Sequence, residues 1–121
     1  MSIFETLGFT QEWIEVGIVS PELLERVELE WATGEDPYTE HYRWRAFVDF
    51  MKASATLEAD TLRRIYALSE NDPDLSMGGA MQIEVLNRKD CPRDLLDRAA
   101  KSEEKFLRRT AFRRLGREFI D

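Results

Sequence analysis

The side chains best suited to covalent or acid–base chemistry in this 121-residue chain are one thiol, Cys91, and one imidazole, His41. Together they could in principle form a nucleophile and its base. Cys91, however, directly precedes Pro92 at what reads as a helix start, a position suited to a small capping or buried residue. A single histidine supplies neither a multi-histidine metal site nor a mechanism that passes protons between two imidazoles. A single cysteine excludes a disulfide within the chain. There is no P-loop, no GxGxxG and no GxSxG. Gly78-Gly79 near a helix start could approach a phosphate, but the plainer reading is that two helices touch there. The expectation is a protein that is not an enzyme, with no catalytic residue, no cofactor and no metal ligand.

Carboxylates are abundant, in the groups Glu12/Glu15, Glu22/Glu25/Glu28 and Glu35/Asp36/Glu40. Acid–base or metal chemistry would need them to converge in a cleft. At helical spacing they line an exposed stripe instead, and solvation accounts for each one alone. Their concentration is more informative. Thirteen acids and four bases give residues 1–60 a charge of −9, while eleven acids and thirteen bases give residues 61–121 a charge of +2. Glu28, Glu30, Glu35, Asp36 and Glu40 surround Gly34, with Trp31 and Tyr38 interleaved. Rings anchor a contact and grouped charges steer an approaching partner, so Glu28, Trp31, Glu35, Asp36, Tyr38 and Glu40 form a candidate surface for a basic protein. The alternative is that both rings are core and the acids keep the surface soluble. Trp13 and Trp44 are expected in the core.

Lys101, Lys105, Arg109, Arg113 and Arg117 recur every fourth residue, with Arg108 and Arg114 alongside. That column could meet a nucleic-acid backbone. It could equally complement helix C-termini and neighbouring acids. No base-stacking ring is interleaved, and the chain as a whole carries −7, so nucleic acid is the weaker expectation.

The elements that must position these groups are helical almost throughout. A first segment runs from Thr10 to about Val16. Ser20-Pro21 opens a second helix, with Leu24, Val27 and Trp31 in register and Gly34 as its stop. Asp36-Pro37 opens a third, to about Ala53, apolar over much of its circumference and so expected at the centre. A fourth spans about Glu58–Ser69 with Leu62, Ile65, Tyr66 and Leu68 inward. After the turn Asn71-Asp72-Pro73-Asp74, a fifth runs from Leu75 to about Asn87 on Ala80, Met81, Ile83 and Leu86. Pro92 opens a sixth with Leu95, Leu96 and Ala99. Ser102 is expected to cap a seventh, with Leu107, Ala111 and Leu115 inward. The predicted fold class is all-α, with six to seven helices in stacked antiparallel hairpins forming a small solenoid or compact bundle. A single domain is expected over residues 1–121, acidic over 1–56 and hairpin-like over 57–121. No apolar run approaches the roughly 20 residues needed to span a bilayer. The opening Met1-Ser2-Ile3-Phe4-Glu5 has no basic segment of the kind a signal peptide carries. No membrane association and a cytoplasmic location are therefore expected.

In residues 79–115, Pro92 is followed by the pair Leu95-Leu96, then Ala99-Ala100, a capped turn at Ser102 and Leu107-Arg108 ahead of Ala111. This layout resembles the leucine-rich-variant and HEAT-like helical repeats, in which short helix pairs stack to share a core. It covers about a third of the chain. No N-terminal cysteine cluster accompanies it, so the iron–sulfur centre of the variant-repeat proteins is not implied. By size, acidity and the lack of a catalytic centre, the whole chain looks like the immunity proteins of secreted bacterial toxins, including the contact-dependent growth-inhibition type. That resemblance implies inhibition of a basic, nuclease-type toxin domain. The alternative expectation is a helical-repeat, nucleic-acid-associated module working through Lys101–Arg117.

Overall fold

The computed structural model describes residues 8–33 and 39–116, with backbone alone at 31, 33 and 39–41. Every regular element among them is an α-helix, and there is no strand. The chain divides into two compact units, residues 1–55 and 56–121.

The first unit contains α1 (Gln11–Glu15), α2 (Pro21–Thr33) and α3 (Thr39–Ala53). Ser20 caps α2 as its sequence requires, its hydroxyl accepting from the Leu23 amide at 3.2 Å. The predicted start of α3 at Asp36-Pro37 lies outside the described residues. The core of this unit gathers Phe9, Trp13, Ile18 and Val19 with Val27, Tyr42, Ala46, Phe47 and Met51, all buried. Phe9 meets Trp13 edge to face at 5.5 Å between ring centroids, the arrangement their quadrupoles favour. Trp44, expected in the core, is only half-buried, and Ala53 is exposed. Arg43 is buried instead, its guanidinium lying so close to Gly8 that a side chain there would collide with it. Gly8 also has φ +84°, a left-handed value that glycine alone adopts freely.

The second unit contains α4 (Ala59–Glu70), α5 (Leu75–Leu86), α6 (Arg93–Ala99) and α7 (Lys105–Leu115). Helix α5 packs against both α4 and α7, and α6 packs against α7. Being covered on two sides, α5 buries Met77, Gly78, Gly79, Met81, Gln82, Val85 and Leu86. The predicted inner residues Met81 and Leu86 are buried, whereas Ala80 and Ile83 are half-buried. Counting apolar side chains misjudged this face because two glycines and a glutamine occupy it. Gln82 is accommodated by a hydrogen bond with the buried Tyr66 hydroxyl, whose own pKa burial raises.

The α4–α5 turn satisfies its own backbone. The Asp72 carboxylate accepts from the Asp74 amide at 2.8 Å, and Asp74 accepts from the Met77 amide at 3.0 Å as the cap of α5. Gly78 follows at once, and a Cβ on it would lie 2.5 Å from the Ser69 carbonyl oxygen. On α7 the expected cap moves by two residues. Glu104 holds the cap position without a side-chain cap bond, while Ser102 accepts from the Glu104 amide at 3.1 Å in a local turn. Helix α7 ends at Gly116, in a left-handed conformation.

Replacing Gly78 with alanine sets a methyl against backbone that cannot swing away. The expected loss is about 1–3 kcal/mol of unfolding free energy, read as a lower urea midpoint. An unchanged midpoint would show that the two helices can separate freely.

Candidate functional site

The structure treats the six residues of the predicted acidic surface unequally. Glu28 lies on α2 and is exposed. Trp31 is in the last turn of α2 and Glu40 in the first turn of α3, with only their backbones described. Glu35, Asp36 and Tyr38 lie outside the described residues.

What the structure adds is the rest of the outer face of α2. At about 100° per residue, Glu22, Glu25, Leu29 and Ala32 fall on one stripe, with Glu28 beside it, and all five are exposed. The opposite side of the helix carries Val27, at 1% exposure, between the half-buried Leu23 and Leu24. Glu30 also turns inward and pairs with Arg45 of α3 at 2.7 Å. It is therefore the one α2 acid tied to α3 by a described ion pair. Leu29 remains 68% exposed among the outer acids. The signal for it was present in the sequence, as a leucine on the polar side of an amphipathic helix. The acids at 22, 25 and 28 are accounted for by a solvated stripe, which leaves Leu29 without a role in the sequence alone.

The basic column near the C-terminus has a different use. Arg114 reaches back across the unit, donating to the carbonyls of Leu86 at 2.9 Å and Arg88 at 2.8 Å. It thereby satisfies the last carbonyl of α5, those of Ile83 and Val85 already accepting from Asn87 and Arg88. Arg113 donates to the Asn87 side chain at 2.7 Å. Arg108 donates to the carbonyls of Ser102 and Glu103 at 2.8 and 2.9 Å, bracing the α6–α7 turn. Three arginines of the column thus close loops, and Arg117 lies outside the described residues.

The loop held by Arg114 is itself built on charge. Arg88 grips Asp90 with two hydrogen bonds, of 2.8 and 3.0 Å, and Asp90 accepts from the Leu57 amide at 2.8 Å. The Arg88 guanidinium, aided by that amide, holds the Asp90 carboxyl below the usual carboxylate range. The associated stability is present at neutral pH and is lost as pH falls through that lowered value.

Cys91 follows in a half-buried position, with Sγ 3.6 Å from the Pro92 carbonyl oxygen. Burial pushes its thiol up to about 11, against the lowering influence of Arg114. A thiol so placed is protonated at neutral pH, the opposite of what a nucleophile needs. Among the described residues no group of three or more His, Cys, Asp or Glu side chains is placed to hold a metal ion. No helix there is long and apolar enough to cross a membrane. No protein-family model, curated protein or solved structure matches this chain.

Two measurements check these assignments. Iodoacetamide should alkylate Cys91 in the folded chain about a hundredfold more slowly than free cysteine at about pH 8; comparable rates would contradict the raised thiol pKa. Arg114→Met should cost about 1–2 kcal/mol in urea unfolding by leaving the Leu86 and Arg88 carbonyls without that donor. Lys101→Ala, at an exposed site, should stay within about 0.5 kcal/mol of the parent.

Proposed function

We propose that this chain is a non-enzymatic binding protein that captures a basic protein partner on the outer face of α2. The observation that carries the reading is Leu29, 68% exposed among Glu22, Glu25 and Glu28. An apolar side chain left in water beside three exposed acids, with the exposed Arg26 three residues before it, has the composition of a contact. The charges accelerate encounter with a basic surface, and burial of the leucine slows release. Glu28 belongs both to this face and to the acidic group read from the sequence. The −7 net charge supports the same partner class. Stated most sharply, the chain acts as an immunity protein that covers a secreted, basic, nuclease-type toxin domain. The loop-closing roles of Arg108, Arg113 and Arg114 weigh against a nucleic-acid partner.

The test compares the immobilised parent chain with an E22K/E25K/E28K variant in extract of the source cells. At about 50 mM salt, where exposed charges act over long distances, the parent should retain a basic protein. The variant should retain at least about tenfold less. Co-expressing the parent should restore growth to cells that make the captured protein. Equal retention by both chains would refute the placement on α2, and retention of acidic proteins alone would refute the partner class.

A further inference from the structure

The second unit carries a cleft of about 580 Å³ between the start of α5 and the α6–α7 turn. That size lies within the range of about 300–1,000 Å³ typical of binding clefts. Its apolar part is formed by Leu75, Gly79 and Phe106, and its acidic part by Glu70, Glu103 and Glu104. Four large hydrophobic side chains are exposed among the described residues, and two of them, Leu75 at 82% and Phe106 at 41%, line this cleft. Phe106 leans over Gly79, where a Cβ would stand 2.9 Å from the ring edge. The absence of a side chain on Gly79 therefore lets the ring settle onto the helix while leaving the ring partly open.

The charged side chains lining the cleft are three carboxylates, one of which, Glu70, is already paired with Arg98, and no lysine or arginine lines it. Two nearby arginines bind groups of the cleft itself, while Lys101 and Lys105 are exposed on the flanking segments. Arg98 pairs with Glu70 at 2.8 Å and lies over the Tyr66 ring. Arg108 is turned onto the carbonyls of Ser102 and Glu103. Glu103 and Glu104 are both exposed, and their carboxylates form no ion pair with a described residue. An anion would meet these two carboxylates, whereas a cation with an apolar flank would satisfy both parts of the lining.

We infer that this cleft is a docking site for a short basic peptide segment of a partner protein, one that places an aliphatic side chain against Leu75 and Phe106 and a lysine or arginine against Glu103 and Glu104. It shares no residue with the α2 face, and the α2 variants change none of its lining, so either site can fail without the other.

The probe is acetyl-Leu-Arg-Lys-Leu-amide, titrated into the full ¹⁵N-labelled chain. Two controls accompany it: acetyl-Leu-Glu-Asp-Leu-amide, which inverts the charge, and acetyl-Lys-Lys-Lys-Lys-amide, which removes the apolar part. The basic–apolar peptide should give saturable amide shifts centred on Ser76, Gly79 and Phe106. Leu75→Ser should weaken binding about fivefold through lost apolar burial. E103K/E104K should weaken it about tenfold at low salt. Leu75, Glu103 and Glu104 are all exposed, so an unchanged circular-dichroism spectrum is expected and separates lost binding from lost folding. Equal or tighter binding of either control peptide would overturn the inference, as would shifts centred elsewhere, or no shift with the basic–apolar peptide.

Discussion

The second unit depends on how closely two backbones approach. Helix α5 meets the end of α4 at Gly78, against the Ser69 carbonyl, with no room for even a methyl group. Interiors pack at crystal-like density, so the position of one such contact propagates to its neighbours. Seating Gly78 on α4 brings Met81 and Val85 into the core with Leu62 and Ile65, all essentially inaccessible to water. One residue along, Gly79 turns toward α7 and receives Phe106. Adjacent residues on a helix point about 100° apart, so a pair of glycines lets α5 take a close neighbour on each of two sides. The Asp72 and Asp74 turn fixes the entry angle that makes this possible.

Electrostatics divides the chain by use as well as by sign. In the first unit the outer acids of α2 project into water, and Glu30 is the acid there that turns in to meet Arg45. In the second, Arg63, Arg88 and Arg98 pair with carboxylates, while Arg108 and Arg114 act on backbone oxygens. A guanidinium offers several donors in a fixed plane, so Arg114 can serve two carbonyls of one loop at once. Lysine at 114 would present a point charge without that fork.

The helices themselves were legible. Ser20-Pro21 and the turn ending at Asp74 mark boundaries by local chemistry that does not wait for tertiary structure. The periodic leucines of α6 and α7 point inward because hydrophobic spacing alone sets that choice, and Leu95, Leu96 and Leu107 are buried. The inner face of α5 was less legible, since burial there follows from the small size of Gly78 and Gly79 and from a partner for Gln82. Arg43 is a similar case: its burial depends on the space that Gly8 leaves, thirty-five residues earlier in the chain. Helical spacing sets both Glu28 and Leu29 on the polar side of α2, and both are exposed, but spacing alone gives a single leucine no role. The roles of Arg108, Arg113 and Arg114 were hidden for a related reason: a regular basic column describes one helix, while its targets lie on loops elsewhere in the chain.

The reach of Arg114 back to Leu86 and Arg88 also bears on the order in which the chain can be completed. Until α7 is in place the Leu86 carbonyl relies on water, while those of Ile83 and Val85 already accept from the amides of Asn87 and Arg88. Asp90 fastens the start of α4 to the α5–α6 loop. The second unit is thus assembled from local helices but closed by contacts spanning 26–33 residues, and such non-local closures come late in folding. A chain that stops before Arg114 would carry α5 with its Leu86 carbonyl open, so completion of this end of the unit waits for α7.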